Sequence, residues 1–222
     1  DAAGQSVANS LGAKAASFAV AARNAEDGIS FLQSAESLLL ELAALTTRLR
    51  ELGIQYANNA LLTTTDEAAL NAEAQAIGDA IQNIATNTNF NGTQMIGNAT
   101  AISIGINDQG DTATVGTAQS LAVASTGAIT GANGIDASAD TALGEIAKSL
   151  GNVAAGMTAL KGYQAAASAT SANLAAAAAR IQDTDFALET AALTKAAILN
   201  QSAMAMVAQA NQAQQAILTV IQ

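Results

Sequence analysis

Apolar residues return every three or four positions along two long stretches, and no proline interrupts either. In the first, Phe18, Ala22, Ala25, Ile29, Leu32, Ala35, Leu39, Leu42, Leu45, Leu49, Leu52 and Tyr56 form one stripe. Its mean step is about 3.5, the period of a coiled-coil seam rather than of the broader stripe of a globular helix. In the second, a seven-residue repeat holds at two positions. One reads Leu143, Leu150, Met157, Gln164, Ser171, Ala178, and the other Ile146, Val153, Leu160, Ala167, Leu174, Ile181. A sustained repeat of this kind supercoils one helix on another. Polar Gln164 and Ser171 fall in the seam, where buried polar residues fix register.

These patterns predict helices over 3–58, 66–87 and 141–181. Asn58 and Asn59 end the first, and Gly12 and Gly28 are its weak points, because glycine costs about 1 kcal/mol against alanine in a helix. Thr65 or Asp66 is the expected N-cap of the second, whose inward face is Leu70, Glu73 or Ala74, Ile77, Ile81 and Ile84. Between the helical zones the period changes to two. Ile102, Ile104 and Ile106 share one face, the turn-like Asn107-Asp-Gln-Gly110 follows, and Asp111 to Val115 returns. This predicts a β-hairpin within a β-rich zone at 97–125, with Leu121–Ser125 a possible third strand and a Gly-rich loop at 127–134. The expected fold is mainly α: a long antiparallel coiled-coil rod over 1–182, a small β-hairpin region, and a C-terminal helix over 183–222.

Composition removes most chemistry. The chain has no Cys and no His, so thiol nucleophiles, disulfides, the usual zinc sites and the usual general base are gone. A net charge of -10 argues against a basic surface for nucleic acid or anionic lipid. Few aromatics make a poor small-molecule pocket. Asn107, Asp108 and Asp111 with Gly110 resemble a fragment of a calcium loop but lack carboxylates and the terminal Glu. Gly127, Gly131 and Gly134 lack the Lys and helix of a phosphate loop. Asp183 and Asp185 read as a linker or hinge and an N-cap, not as a catalytic pair. No catalytic residue, cofactor or metal is expected. The polar opening carries no signal-peptide pattern, and no uncharged stretch reads as a membrane span.

The tail is the most telling segment. Lys195 is the last charge in the sequence. Beyond it, Ile198, Leu199, Met204, Met206, Val207, Ile217, Leu218 and Ile221 spread around much of a helical circumference. A lone helix cannot hide apolar residues on several sides. The expectation is therefore partner helices from other molecules, through a face that includes Leu193, Ile198, Leu199, Val207, Ile217, Leu218 and Ile221. Without them, 186–222 is expected to be disordered, swapped or bound to another chain.

Several blocks, in order, resemble bacterial flagellin. Asp1-Ala-Ala-Gly4 and Arg23-Asn-Ala-Glu-Asp-Gly-Ile-Ser30 resemble motifs of the family's first core helix, and Leu49-Arg-Glu-Leu52 with Gln55 its end. Thr88-Asn-Phe-Asn-Gly92 resembles the turn after its second helix. Arg180-Ile-Gln-Asp-Thr-Asp-Phe-Ala187 resembles the hinge between core and terminal domain. Thr194-Lys195, Ile198-Leu199 and Ala208-Gln-Ala-Asn-Gln212 resemble the C-terminal helix.

The resemblance implies a self-assembling structural subunit of the flagellar filament for motility, secreted and extracellular, and not an enzyme. Its core helices form the D1 domain and its chain ends the D0 domain. A further N-terminal D0 helix would precede Asp1, so the chain is expected to be a truncated form with minimal outer domains. The implied partners are other flagellin subunits, an export chaperone, hook-associated and cap proteins, and a Toll-like innate-immune receptor. Arg48, Leu52 and Glu73 match the patch that receptor reads, beside Thr47 where a Gln is usual. A hook–filament junction protein shares the terminal helices and is the nearest alternative. A cell-surface adhesin holding a glycan through 97–135 is the other.

Overall fold

The computed structural model describes residues 2–96, 102–115, 135–183 and 185–221, with the side chains of Asp136 and of 218–221 excepted. Four α-helices dominate: α1 (Ala2–Tyr56), α2 (Thr64–Asn87), α3 (Ile135–Gln182) and α4 (Phe186–Ile221). Two antiparallel hairpins lie between α2 and α3: β1 (Asn89–Phe90) with β2 (Thr93–Gln94), and β3 (Ile102–Gly105) with β4 (Thr112–Val115). The expected strand at Leu121–Ser125 and loop at 127–134 lie outside the described residues. The chain divides into two compact units, one of Ser10–Ala176 and one of Asp1–Asn9 with Ala177–Gln222.

Within the Ser10–Ala176 unit, α1 and α3 run antiparallel. Arg50 on α1 meets Asp140 on α3, Glu26 meets Gln164, and Ala15 meets Ser171, so position rises on one helix as it falls on the other. Two of these contacts come from the polar seam residues. Gln164 Nε2 donates to Glu26 Oε1 at 2.6 Å, and Ser171 Oγ donates to the Ala15 carbonyl at 2.8 Å. Both side chains find partners only in this register, which is how a polar seam residue excludes slipped pairings.

The seam on α1 is stricter than its sequence stripe suggests. A line of buried positions, Ala21, Ala25, Gly28, Leu32, Ala35, Leu39, Leu42, Thr46, Leu49 and Gly53, alternates steps of four and three, with Ala22, Phe31 and Leu52 buried beside it. One apolar cluster joins Ala25, Leu32, Ala35, Leu39, Leu42 and Leu49, with Phe31 and Leu52, to Leu70, Ala74 and Ile81 of α2, Met95 and Ile96, Val115 of β4, and Ile146, Val153 and Leu160 of α3. Full burial of each such Leu, Ile or Val contributes about 1.5–3 kcal/mol. Farther along, Phe18, Ala21, Ala22 and Ala167 form a small second cluster. Small residues there let two backbones come close. By length and composition α1 would suffice to cross a membrane; its apolar side instead forms this core.

Gly28, expected as a weak point, is instead a hole, and Gly156 is another. A Cβ on Gly28 would lie 2.9 Å from Leu160 Cδ1 and 3.2 Å from Ile104 Cγ1. A Cβ on Gly156 would lie 3.1 Å from Leu32 Cδ1 and 3.5 Å from Val115 Cβ. Gly28 and Leu32 are one helical turn apart, as are Gly156 and Leu160. Each helix thus offers a glycine hole to the other's leucine, and the β3–β4 hairpin closes on the same two points.

Two boundaries differ from the sequence expectation. α2 is capped by Thr63, not Thr65 or Asp66. Thr63 Oγ1 accepts from Asp66 N at 3.3 Å and Asp66 Oδ2 accepts from Thr63 N at 3.0 Å, a reciprocal capping box. The Thr63 hydroxyl and then its backbone N–H hold the Asp66 carboxyl below its usual range. α3 begins at Ile135, ahead of the expected 141, and Ile135 and Ala139 are buried. On α2 the inward choice falls on Ala74, fully buried, while Glu73 faces out.

The hairpins are built as their turns demand. Asn91 and Gly92 both take positive φ, 49° and 80°, the two-residue turn that matches strand twist. It sets Phe90 edge-on against Phe31 of α1 at 5.7 Å. At the β3–β4 tip, Asn107 Oδ1 accepts from the backbone N–H groups of Gln109 and Asp111, and its Nδ2 donates to Asp111 Oδ2 at 2.6 Å. Of the group that resembled a calcium loop, Asn107 and Asp111 are used in closing this turn. Among the described residues no cluster of three metal-ligating side chains occurs.

Candidate assembly surface

The break between α3 and α4 falls at the two acids. Asp183 N still donates to Ala179 O at 2.7 Å, ending α3. Asp185 Oδ1 accepts from Ala187 N at 3.0 Å and Leu188 N at 3.2 Å, capping α4. The Asp185 carboxylate is therefore the N-cap of α4, while Asp183 closes α3 through its backbone N–H.

α4 is a continuous helix of 36 residues, in line with the C-terminal helix expected over 183–222. Its alanines carry the highest helix propensity, and an uninterrupted run of this length clears the nucleation cost. Its threonines are satisfied by their own backbone: Thr190 Oγ1 donates to Phe186 O and Thr194 Oγ1 to Thr190 O. What remains outward is apolar. Every described side chain of α4 is exposed except the half-buried Thr190.

Leu193, Ile198, Leu199, Val207 and Ile217 are all exposed, as the expected face requires; Leu218 and Ile221 have side chains outside those described. Phe186 and Leu188, exposed by 79% and 71%, were not singled out in the sequence; Met204 and Met206, counted among the tail's apolar residues but not in its expected face, are exposed by 70% and 71%. These complete two stripes. Phe186, Leu193 and Met204 lie on one side, spaced by seven and eleven residues. Leu188, Leu199, Met206 and Ile217 lie nearly opposite, spaced by eleven, seven and eleven. Both spacings return to the same face of an α-helix within about 20°. The seven- and eleven-residue spacing was the available signal, and Phe186 and Leu188 were hidden by their nearness to the acidic hinge.

Removing the nine large apolar side chains of α4 from water is worth about 1–2 kcal/mol each at their present exposure. The sum, about 10–15 kcal/mol, is comparable to the about 4–15 kcal/mol cost of immobilising a partner. The three or four side chains of one stripe would supply about 3–8 kcal/mol, toward the low end of that cost.

The second candidate surface lies on α1 and α2. Arg48 Nη2 and Nε meet Glu73 Oε1 at 2.7 and 3.0 Å, and Nη1 meets Glu51 Oε2 at 3.1 Å. All three side chains are about half exposed. Glu73 first, then Glu51, raises the Arg48 guanidinium above its ordinary pKa. Leu52 does not join them: it is fully buried in the core cluster. The same residue stood in the seam stripe, and packing against α2 and α3 claims it.

The bacterial flagellin N-terminal helical region matches residues 1–101, and the bacterial flagellin C-terminal helical region matches residues 135–221. A flagellin of Halalkalibacterium halodurans is 33% identical over 232 residues, covering 100% of this chain and 85% of that protein. The flagellar filament 33 kDa core protein of Treponema phagedenis is 32% identical, covering 100% of this chain and 85% of its own length. The crystal structure of Bacillus cereus flagellin is 25% identical, with a TM-score of 0.47 over 78% of this chain and 94% of that one. On the family matches and on the identity with full-length relatives, the chain belongs to the bacterial flagellin family.

Proposed function

We propose that the chain is a structural subunit of the flagellar filament, and that burial of both α4 stripes between subunits drives its assembly. The observation that carries this is the pair of opposed, exposed apolar stripes on a helix without charge beyond Lys195. Among the described residues no other element exposes as many large apolar side chains. The family membership and the names of the relatives support the same reading. The bundle built from α1, α2 and α3 supplies lateral and axial contacts, with 1–182 acting as a core rod and 183–222 as the assembly helix. Asp183 and Asp185 form the hinge between them. The reading places the protein outside the cell, reached by export. Before assembly α4 lies in an export chaperone's groove, helix in groove. Hook-associated and cap proteins meet the ends of the filament. Arg48 and Glu73, held in one ion-paired array, are the exposed part of a surface for an innate-immune receptor.

Leu193→Asp and Val207→Asp test the central step in the chain joined to whatever segments it carries in the cell. Leu193→Asp places a charge within one stripe and Val207→Asp one beside it on the same side of the helix, and a charge buried there is costly without a partner. Both variants should keep the circular-dichroism signature of the helical bundle and yield no filaments by electron microscopy. Normal filaments from both would refute the proposal.

A further inference from the structure

The chain has four methionines, and the structure divides them sharply. Met95 is buried in the core cluster and Met157 is half-buried against it. Met204 and Met206 are 70% and 71% exposed, and both lie on α4. They are two residues apart and so face opposite ways. Met204 belongs to the stripe of Phe186 and Leu193, and Met206 to the stripe of Leu188, Leu199 and Ile217. Each apolar stripe of α4 therefore contains one accessible thioether.

We propose that Met204 and Met206 are sites of reversible oxidation by peroxides, and that sulfoxide at either position blocks assembly. A thioether sulfur attacks one oxygen of hydrogen peroxide. The S–O bond forms, the O–O bond breaks, and the sulfur is oxidised as the peroxide is reduced to water. The product is a polar, chiral sulfoxide in place of a flexible apolar group. On a free helix in water this costs little, because the new oxygen is hydrated. In a seam between helices the same oxygen is stripped of water and has no donor supplied by α4's own backbone, which is fully used in the helix. Oxidation before assembly thus acts as a checkpoint on the subunit. After assembly the same sulfurs are covered, and the filament resists. The absence of Cys leaves methionine as the residue through which the chain responds to peroxide. Methionine sulfoxide reductases reverse the change, one enzyme for each epimer.

The inference rests on the assembly role of α4, and one experiment separates the two. Unassembled protein and preformed filaments are treated with hydrogen peroxide and digested. The peptide holding Met204 and Met206 is then weighed, and assembly is followed by sedimentation. In the unassembled protein that peptide should gain about 32 Da, one oxygen per methionine, ahead of the peptides with Met95 or Met157. The concentration needed for assembly should rise about tenfold or more. Reductase treatment should restore it, and Met204→Leu with Met206→Leu should assemble regardless of peroxide. In filaments the peptide should stay unmodified. Filaments that assemble normally from the oxidised subunit would overturn the inference and leave the assembly role intact. Rapid oxidation of both methionines within intact filaments would overturn both.

Discussion

Gly28→Ala is expected to destabilise the helical bundle, against the usual sign of that substitution. Glycine to alanine inside a helix normally gains about 1 kcal/mol, through propensity and through the unfolded chain. At Gly151 and Gly162, where a new Cβ meets nothing within 4 Å, that gain should appear. At Gly28 the Cβ would sit 2.9 Å from Leu160 Cδ1 and 3.2 and 3.3 Å from Cγ1 and Cδ1 of Ile104. Leu160 is fully buried, and Ile104 is held by β3–β4 pairing, so neither moves freely. Overpacking of a filled core costs about 1–3 kcal/mol, which cancels or exceeds the gain. The net effect is a loss of about 0–2 kcal/mol at Gly28, against a gain of about 1 kcal/mol at Gly151. For a chain of this size each kcal/mol moves the melting temperature by about 2–4 °C. Thermal unfolding followed at 222 nm, about the helical minimum, separates the two signs. Adding Leu160→Ala should relieve the clash, so the double-mutant cycle should show coupling, as contacting residues do. A Gly28→Ala melting temperature raised as far as that of Gly151→Ala would refute the reasoning, as would a cycle that simply adds.

Ser149 is fully buried and its Oγ has no hydrogen-bond partner. Ser149→Ala should therefore raise stability by about 1 kcal/mol, read from urea midpoints at unchanged slope; a clear loss would mean the hydroxyl is satisfied. Asp66 has a folded pKa below its unfolded one, because Thr63 hydrogen-bonds its ionised form. Its contribution is thus fully present above the unfolded pKa and is lost as pH falls through the folded one. Acid titration of stability should show a smaller loss in Asp66→Asn than in the parent, and identical profiles would contradict the cap.

The periodicity carried most of the fold. Heptads over 143–178 predicted the α3 seam, and the polar Gln164 and Ser171 announced a fixed register whose partners, Glu26 and Ala15, lie far away in sequence. The alternation at Ile102, Ile104 and Ile106 predicted β3 and its inward face, now half-buried on the core. What failed was whatever depended on a distant neighbour. Gly28 and Gly156 look like defects when only helix propensity is counted; their role belongs to Leu160 and Leu32, across the bundle. Leu52 was assigned both to the seam and to a receptor surface, and only burial by other helices decides between them. Three successive threonines left the α2 cap ambiguous until the reciprocal bonds between Thr63 and Asp66 chose one. The tail's exposed apolar surface was legible from its missing charge and scattered apolar residues. That it is helical was legible too, from its alanines and the lack of proline.

The account stands on α4 being helical but uncovered in the single subunit and covered in the assembly. Amide hydrogen exchange over 186–217 measures this directly, first in dilute monomer and then in filaments. The account predicts weak protection in the monomer, as expected of a helix without tertiary packing, and strong protection once assembled. Strong protection already present in the monomer, or none gained in the filament, would contradict it.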